Sequence, residues 1–192
     1  MSLFEVRIHG RGGQGVVSAA EMLSVAVFTE GKHAQAIPSF GSERMGAPVQ
    51  SFVRFSDHDI RTREPVIEPD CLIIQDVTLL SHESTFAGLK EGGYVLINST
   101  HTIEELGIAD KLKKIPASHL MVVNATGLAR EHLGRPIPNA ALIGGFSAIT
   151  GQLKFESIEK AIHKKFAGAV GDGNVAAARA AFNEVLEAKG LN

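Results

Sequence analysis

The sequence contains few of the residues on which several kinds of binding and redox site depend. Trp is absent and Tyr occurs once among 192 residues, so an aromatic platform that stacks single-stranded nucleic acid is not expected. The single cysteine, Cys71, can neither close an intrachain disulfide nor build a four-thiolate zinc or iron–sulfur site. The absence of disulfides favours a reducing compartment, and we expect a cytoplasmic chain.

Neither the charge of the sequence nor its apolar runs indicate a polyanion or a membrane as partner. Lys and Arg number 19 and Asp and Glu 21, which gives a formal net charge of −2, whereas nucleic-acid binders are clearly basic. No apolar run approaches the roughly 20 residues of a membrane helix, and no signal peptide is expected from the first residues. With 44% hydrophobic and 21% charged residues the composition is globular, and we expect one domain over residues 1–192.

Segments with the character of strands alternate with segments that favour helices. The predicted strands are residues 3–8, 33–37, 49–55, 71–74, 94–98 and 119–123. The predicted helices include residues 16–29, 78–89, 126–133 and a buried one over 140–151. Residues 103–114 are expected to be helical at least in part, with Gly107 as a weak point. This alternation predicts an α/β fold, a three-layer α/β/α Rossmann-like domain with a mainly parallel sheet. Residues 60–66 are expected to pair with 49–55 as a short antiparallel excursion.

A glycine-rich segment, Gly10-Arg11-Gly12-Gly13-Gln14-Gly15, follows the first predicted strand and opens the first helix. It fits G-x-G-x-x-G, in which the glycines allow a tight turn and the helix N-terminus offers N–H groups to a phosphate or carboxylate. An NAD-binding unit also needs an acidic residue at the end of the second strand, and residues 35–38 contain none. Two interpretations stay open, a close-packed turn that serves the fold or a neighbouring protein, and a site for another anion formed by Gly12, Gly13, Gln14 and Gly15.

The loop Pro38–Pro48 is the second candidate for a binding role. It contains two prolines and two glycines, which indicates a shaped loop, and it follows the second strand at the same predicted sheet edge as the glycine turn. Within it lie Ser42, Glu43 and Arg44, and Arg44 could bind a phosphate or carboxylate through two N–H groups. The alternative is a surface pair of Glu43 with Arg44, or a contact with a partner chain.

The other reactive side chains do not form a catalytic or metal-binding constellation. The eight His residues are scattered, without the spacing of metal ligands. Asp76 follows the strand at 71–74, where it could face a cleft or cap the next helix. No P-loop motif is present. We therefore predict no catalytic residue and no metal ligand on this chain.

Taken in order, three segments resemble the gamma subunits of the 2-oxoacid:ferredoxin (acceptor) oxidoreductases. They are residues 10–17, 38–49 and 133–139, and the resemblance extends from Leu3 to about Leu186. The pyruvate and ketoisovalerate enzymes are the most similar members. Pyruvate is therefore the expected oxoacid, with ketoisovalerate and 2-oxoglutarate as alternatives.

The resemblance implies a division of labour within a complex. Enzymes of this family oxidatively decarboxylate a 2-oxoacid on thiamine diphosphate with Mg, pass electrons through [4Fe-4S] clusters to ferredoxin, and form an acyl-CoA. Thiamine diphosphate would lie between alpha and beta subunits, and the clusters on cysteine-rich chains such as a ferredoxin-like delta subunit. The gamma part would pack on this core and assist the coenzyme A side of the site. By position, its candidate residues are Gly12, Gly13, Gln14, Gly15, Ser42, Glu43 and Arg44.

Three functional hypotheses remain open at this point. In the first, the chain is a subunit that is inactive alone and that self-associates when separated from its partners, because it would expose an apolar interface. In the second, it is a stand-alone Rossmann-type NAD(P)-binding oxidoreductase. In the third, it is a purely structural scaffold subunit. The missing ribose-binding acid and the lack of an acid–base pair favour the first.

Overall fold

Six strands and five α-helices account for most of the described chain, which comprises residues 3–38 and 45–191 of a computed structural model. The strands are β1 (Phe4–Arg11), β2 (His33–Pro38), β3 (Pro48–Ser56), β4 (Cys71–Ile74), β5 (Tyr94–Asn98) and β6 (Leu120–Val123). The helices are α1 (Val16–Thr29), α2 (Ala125–Leu133), α3 (Asn139–Thr150), α4 (Phe155–Lys165) and α5 (Gly168–Ala188).

The strands form one mixed sheet in the order β2-β3-β1-β4-β5-β6. β1, β4, β5 and β6 run parallel to one another, whereas β3 lies antiparallel between β1 and β2. Val53 of β3 is opposite Val6 of β1 on one side and Ala36 of β2 on the other. The predicted α/β class, with a mainly parallel sheet and a short antiparallel excursion, is therefore confirmed.

The antiparallel excursion does not lie where the sequence pattern placed it. Residues 60–66, all within the described chain, form no strand, so the prediction that they pair with 49–55 is wrong. β3 instead pairs with β1 over the whole of that strand. Val53 and Phe55 are completely buried in this central position. With β1 on one edge and β2 on the other, β3 has no free edge with which residues 60–66 could pair.

One face of the sheet is covered by all five α-helices, and we call it the helical face. Its core is apolar and includes Val6 of β1, Ile73 of β4 and Phe146 of α3. α3 is buried along its entire length, and it lies so close to α5 that a Cβ atom on Gly144 would overlap the carbonyl oxygen of Ala178. The prediction of a buried helix here is confirmed. No helix in the described part of the chain is both long and apolar enough to cross a membrane.

The opposite face, which we call the turn face, is covered by short 3-10 turns. These turns span Val77–Ser81, Glu83–Thr85 and Ala109–Leu112. A fourth 3-10 turn, Ala117–His119, precedes β6 and contacts α3. The helix predicted over 78–89 is therefore wrong, because the backbone at His82 is extended and separates two short 3-10 turns. Residues 103–114, predicted to be helical at least in part, contain the 3-10 turn Ala109–Leu112, which follows Gly107 with its left-handed φ of 66°.

The turn face also buries charged side chains over β1. Arg7 is 5% exposed and donates hydrogen bonds to the carbonyl oxygens of Thr85 at 3.1 Å and Ala87 at 2.6 Å. Its Nε donates to Nε2 of His9 at 2.9 Å. Burial, together with the Arg7 charge, lowers the pKa of His9 to about 3, so the imidazole is neutral and can accept this bond. Hydrogen bonds thus attach the segment at 85–87 to this face.

Candidate functional site

The glycine turn joins β1 to α1, as the sequence predicts. Gly13 and Gly15 have φ angles of 94° and 75°, which only glycine adopts without strain. Gly15 is the residue that precedes α1, and it has no side chain with which to cap the helix. A Cβ atom on Gly15 would lie 2.6 Å from Nδ2 of Asn139. The segment at 133–139 therefore ends directly against the glycine turn.

The side chain of Gln14 fixes the turn from within. Its Oε1 accepts a hydrogen bond from the backbone N–H of Arg11 at 2.8 Å, and its Nε2 donates to Oδ2 of Asp76 at 2.7 Å. Both ends of the amide are therefore engaged inside the protein. Among the predicted site residues, Gln14 shapes the turn, and a direct contact of its side chain with a cofactor remains a prediction.

Asp76 connects the glycine turn to the 3-10 turn that follows β4. Its Oδ1 accepts from the backbone N–H of Thr78 at 3.0 Å and from the Thr78 hydroxyl. Burial raises the pKa of Asp76, but hydrogen bonds from Thr78 and Gln14 and the charge of Arg11 outweigh burial, so the pKa lies below its ordinary value. The sequence left open whether Asp76 faces a cleft or caps the next helix. In the structure it caps the 3-10 turn that follows β4.

Arg11 joins three segments of the chain. Its Nη1 donates to the carbonyl oxygen of Gly46 at 2.9 Å, and its Nη2 donates to the Thr78 hydroxyl at 2.7 Å. The backbone N–H of Gly12 donates to Ala47 at 2.9 Å, and the N–H of Gly46 donates back to Gly12 at 3.1 Å. The end of the Pro38–Pro48 loop is thus held on the glycine turn, a contact that brings two of the three motifs together.

Ser42, Glu43 and Arg44 lie outside the described residues. Arg11, in contrast, is a described residue of the site that the sequence reasoning passed over. The sequence pointed to Arg11 only through its place between Gly10 and Gly12, a position at which the G-x-G-x-x-G motif allows any residue. Its partners are 35 and 67 residues away in sequence, so the pattern gave no indication of them.

Two pockets flank the N-terminus of α1. The first, which we call the turn pocket, has a volume of about 370 Å³ and is lined by Arg11, Gly12, Gly13, Gly15, Val16, Val17, Ser18, Met45, Val49 and Gln50. The second has a volume of about 220 Å³, and its lining includes Leu133, Ile137, Phe166 and Val170. The first turn of α1 carries no acidic side chain. The turn pocket can therefore offer backbone N–H groups and the positive end of a helix to an anion.

Metal and thiol chemistry find little support at this site. Among residues 3–38 and 45–191, no three His, Cys, Asp or Glu side chains come together as a metal site. Cys71 is fully buried in β4, where burial and the nearby Asp70 raise the pKa of its thiol. The interpretation of Cys71 as a small core residue, not a nucleophile, is consistent with both observations.

Comparisons with known proteins agree with this arrangement of motifs. The family described as pyruvate ferredoxin/flavodoxin oxidoreductase matches residues 5–184. The common gamma subunit of the pyruvate/ketoisovalerate oxidoreductases of Thermococcus kodakarensis is 47% identical over 184 residues, which cover 96% of this chain and 98% of that protein. Subunit PorC of the pyruvate synthase of Methanothermobacter marburgensis is 42% identical over 183 residues, covering 95% and 98%.

A solved structure gives the same answer for the fold. The pyruvate oxidoreductase subunit PORC of Thermotoga maritima superimposes with a TM-score of 0.81 at 37% identity, and the match covers 95% of this chain and 97% of that one. The chain belongs to the pyruvate ferredoxin/flavodoxin oxidoreductase family. Within that family it is a gamma subunit of a multi-subunit oxidoreductase complex. The resemblance inferred from the three motifs is confirmed. The comparisons support the hypothesis of a gamma subunit over that of a stand-alone NAD(P)-binding enzyme.

Proposed function

We propose that this gamma subunit forms part of the coenzyme A site of a complex that converts a 2-oxoacid, pyruvate in the first place, into an acyl-CoA. The observation that carries the proposal is the uncapped N-terminus of α1, which opens into the turn pocket. The pocket lies beyond the carboxyl end of β1, the edge at which open α/β sheets bind ligands. The phosphate groups of coenzyme A are the anions that such a helix end favours.

The remaining chemistry belongs, in this proposal, to other chains. The described residues do not fit the family's clusters or thiamine diphosphate with Mg, because they contain one buried thiol and no group of metal-ligating side chains. We therefore assign thiamine diphosphate to the alpha and beta subunits, and the [4Fe-4S] clusters to a delta subunit that reduces ferredoxin. Residues 1–192 act as one gamma-type domain in this cytoplasmic complex.

Arg44 is proposed to bind a phosphate of coenzyme A. It directly precedes Met45, which lines the turn pocket, and a guanidinium can donate two parallel hydrogen bonds to a phosphate. Ser42 and Glu43 remain predicted members of the same site. The backbone N–H groups of Gly13 and Gly15 and those at the start of α1 are proposed to hold the anion from the other side. The N–H groups of Gly12 and Gln14 already bond to the carbonyl oxygens of Ala47 and Arg11, so these residues shape the turn.

The test is an Arg44→Ala variant in the complex assembled with its own partner subunits. Loss of a charge-assisted hydrogen bond costs roughly 1.5–3 kcal/mol, so the KM for coenzyme A should rise about tenfold to hundredfold. Decarboxylation of the oxoacid in the absence of coenzyme A should stay unchanged, because that chemistry lies on other chains.

The control is Arg63→Ala, which removes an exposed arginine from the segment between β3 and β4. Gel filtration establishes whether each variant complex is intact. An intact Arg44→Ala complex with the wild-type dependence on coenzyme A would remove Arg44 from the site. Loss of every partial reaction together with poor assembly would instead assign Arg44 to a subunit contact.

A further inference from the structure

We propose that Arg11, Asp76 and Thr78 form a latch that holds the end of the Pro38–Pro48 loop in place, and that they are positioning residues for the ligand of the turn pocket. The identity of that ligand, coenzyme A, rests on the proposed function. The latch itself rests only on contacts among described residues.

The guanidinium of Arg11 is the centre of the latch. It bonds to the carbonyl oxygen of Gly46 on one side and to the hydroxyl of Thr78 on the other, with Nε and Nη2 at 3.0 and 2.7 Å from that hydroxyl. One side chain thereby connects the loop, the glycine turn and the 3-10 turn after β4. Met45, which lines the turn pocket, immediately precedes the residue that Arg11 holds.

The carboxylate of Asp76 orients both partners. One oxygen accepts two hydrogen bonds from Thr78, and the other accepts from Gln14 and lies 3.6 Å from Nε of Arg11. The groups of Gln14, Thr78 and Arg11 that contact this carboxylate are all donors. An amide in its place would bring an NH₂ group against one of these donors, so an ionised carboxylate is required.

Thr78 distinguishes positioning from direct binding. Arg11 lines the turn pocket and could in principle touch a ligand, whereas Thr78 is absent from the pocket's lining. Its hydroxyl bonds to Arg11 and Asp76, and through Arg11 it is connected to the pocket. Removing this hydroxyl without changing the size of the side chain isolates the latch from any direct contact with coenzyme A.

The experiment compares Thr78→Val with Thr78→Ser in the assembled complex. Valine keeps the shape of the side chain and the backbone N–H but removes the hydroxyl, whereas serine keeps the hydroxyl. We expect valine to raise the KM for coenzyme A about twofold to tenfold, less than the loss of a direct charge-assisted contact because the hydroxyl acts on the ligand through Arg11 and Asp76. The kcat and the KM for the oxoacid should stay unchanged. Serine should behave like the wild type.

A second readout follows the loop directly. Hydrogen exchange in the full chain, without coenzyme A, should be faster at the amides of residues 45–47 in Thr78→Val than in Thr78→Ser. Equal exchange in the two variants would overturn the latch, and faster exchange with an unchanged KM for coenzyme A would overturn its positioning role. Failure of the proposed function would show separately, as an unaltered coenzyme A dependence of Arg44→Ala, and the exchange comparison would still decide on the latch.

Discussion

The two faces of the sheet are stabilised in different ways. The helical face is apolar and close-packed, with α3 buried between the sheet and α5. The turn face has a smaller apolar core under its 3-10 turns, which includes Leu72, Ile97 and Leu112. Over β1 it adds the buried guanidinium of Arg7, which bonds to backbone carbonyl oxygens. Side-chain packing stabilises both faces, and the pairing of buried polar groups contributes to the turn face over β1.

The glycine turn lies where these two faces meet. From the helical face, Asn139 at the start of α3 abuts Gly15. From the turn face, Asp76 bonds to Gln14 and caps the following 3-10 turn. The N-terminus of α1 is thus fixed from both sides while its first turn stays open to the turn pocket. The site therefore depends on close packing against the helical face and on hydrogen bonds with the turn face.

The largest loss of stability is expected from a substitution that disrupts the packing of the helical face. Gly144→Ala would place a Cβ atom against the backbone carbonyl of Ala178, which cannot move away without displacing α5. We expect a loss of stability of about 3 kcal/mol or more, towards the upper end of the range for overpacked cores. Thermal unfolding of the wild type and the variant measures this loss, since the Tm of a protein of this size falls by about 2–4 °C per kcal/mol.

The neighbouring glycine supplies the matched control. A Cβ atom on Gly145 would lie 3.2 Å from Cδ2 of Leu96, the end of a flexible side chain. Gly145→Ala should therefore change the Tm much less than Gly144→Ala. Equal effects of the two substitutions would mean that close backbone packing does not decide the stability of this face.

A smaller effect is expected in the pH dependence of stability, which tests the buried polar groups of the turn face. The pKa of His9 is lowered from 6.5 to about 3 in the folded chain, so the unfolded chain binds more protons between these values. Stability is then complete above pH 6.5 and falls as the pH decreases towards 3. His9 alone should cost about 1–2 kcal/mol between pH 6.5 and 5, because the slope of about 1.4 kcal/mol per pH unit is reached only below the unfolded pKa of 6.5.

Urea unfolding at pH 6.5 and pH 5 tests this contribution. His9→Gln keeps an acceptor for Nε of Arg7 but does not titrate, so its free energy of unfolding should fall less than that of the wild type. The exposed His132→Gln should retain the full decrease. If His9→Gln and the wild type lose the same stability, the buried imidazole is not the source of the pH dependence.

The helical face could be predicted from the sequence because its signals are local. The apolar composition of residues 140–151 predicts a buried helix, and the glycine turn predicts the strand and helix on either side of it. The turn face could not be predicted in this way. Its helix-like stretches are interrupted at His82, whose backbone is extended, and at Gly107, whose φ is left-handed.

The contacts that build the site are also non-local. Asp76 is 62 residues from Gln14 in sequence, and Gly15 meets Asn139 across more than half of the chain. The position of β3 between β1 and β2 is also non-local, because the alternation of apolar and polar residues predicts a strand but not the strands with which it pairs. Sequence patterns thus predicted the motifs, whereas the way in which they meet required the structure.

The most direct test of the central claim is hydrogen exchange in the assembled complex with and without coenzyme A. If the N-terminus of α1 binds a phosphate of coenzyme A, saturating ligand should slow exchange over residues 12–18. NAD at the same concentration should leave these residues unchanged, because residues 35–38 offer no carboxylate to its ribose. Unchanged exchange at 12–18 in a complex that forms acyl-CoA at saturating coenzyme A would contradict the account.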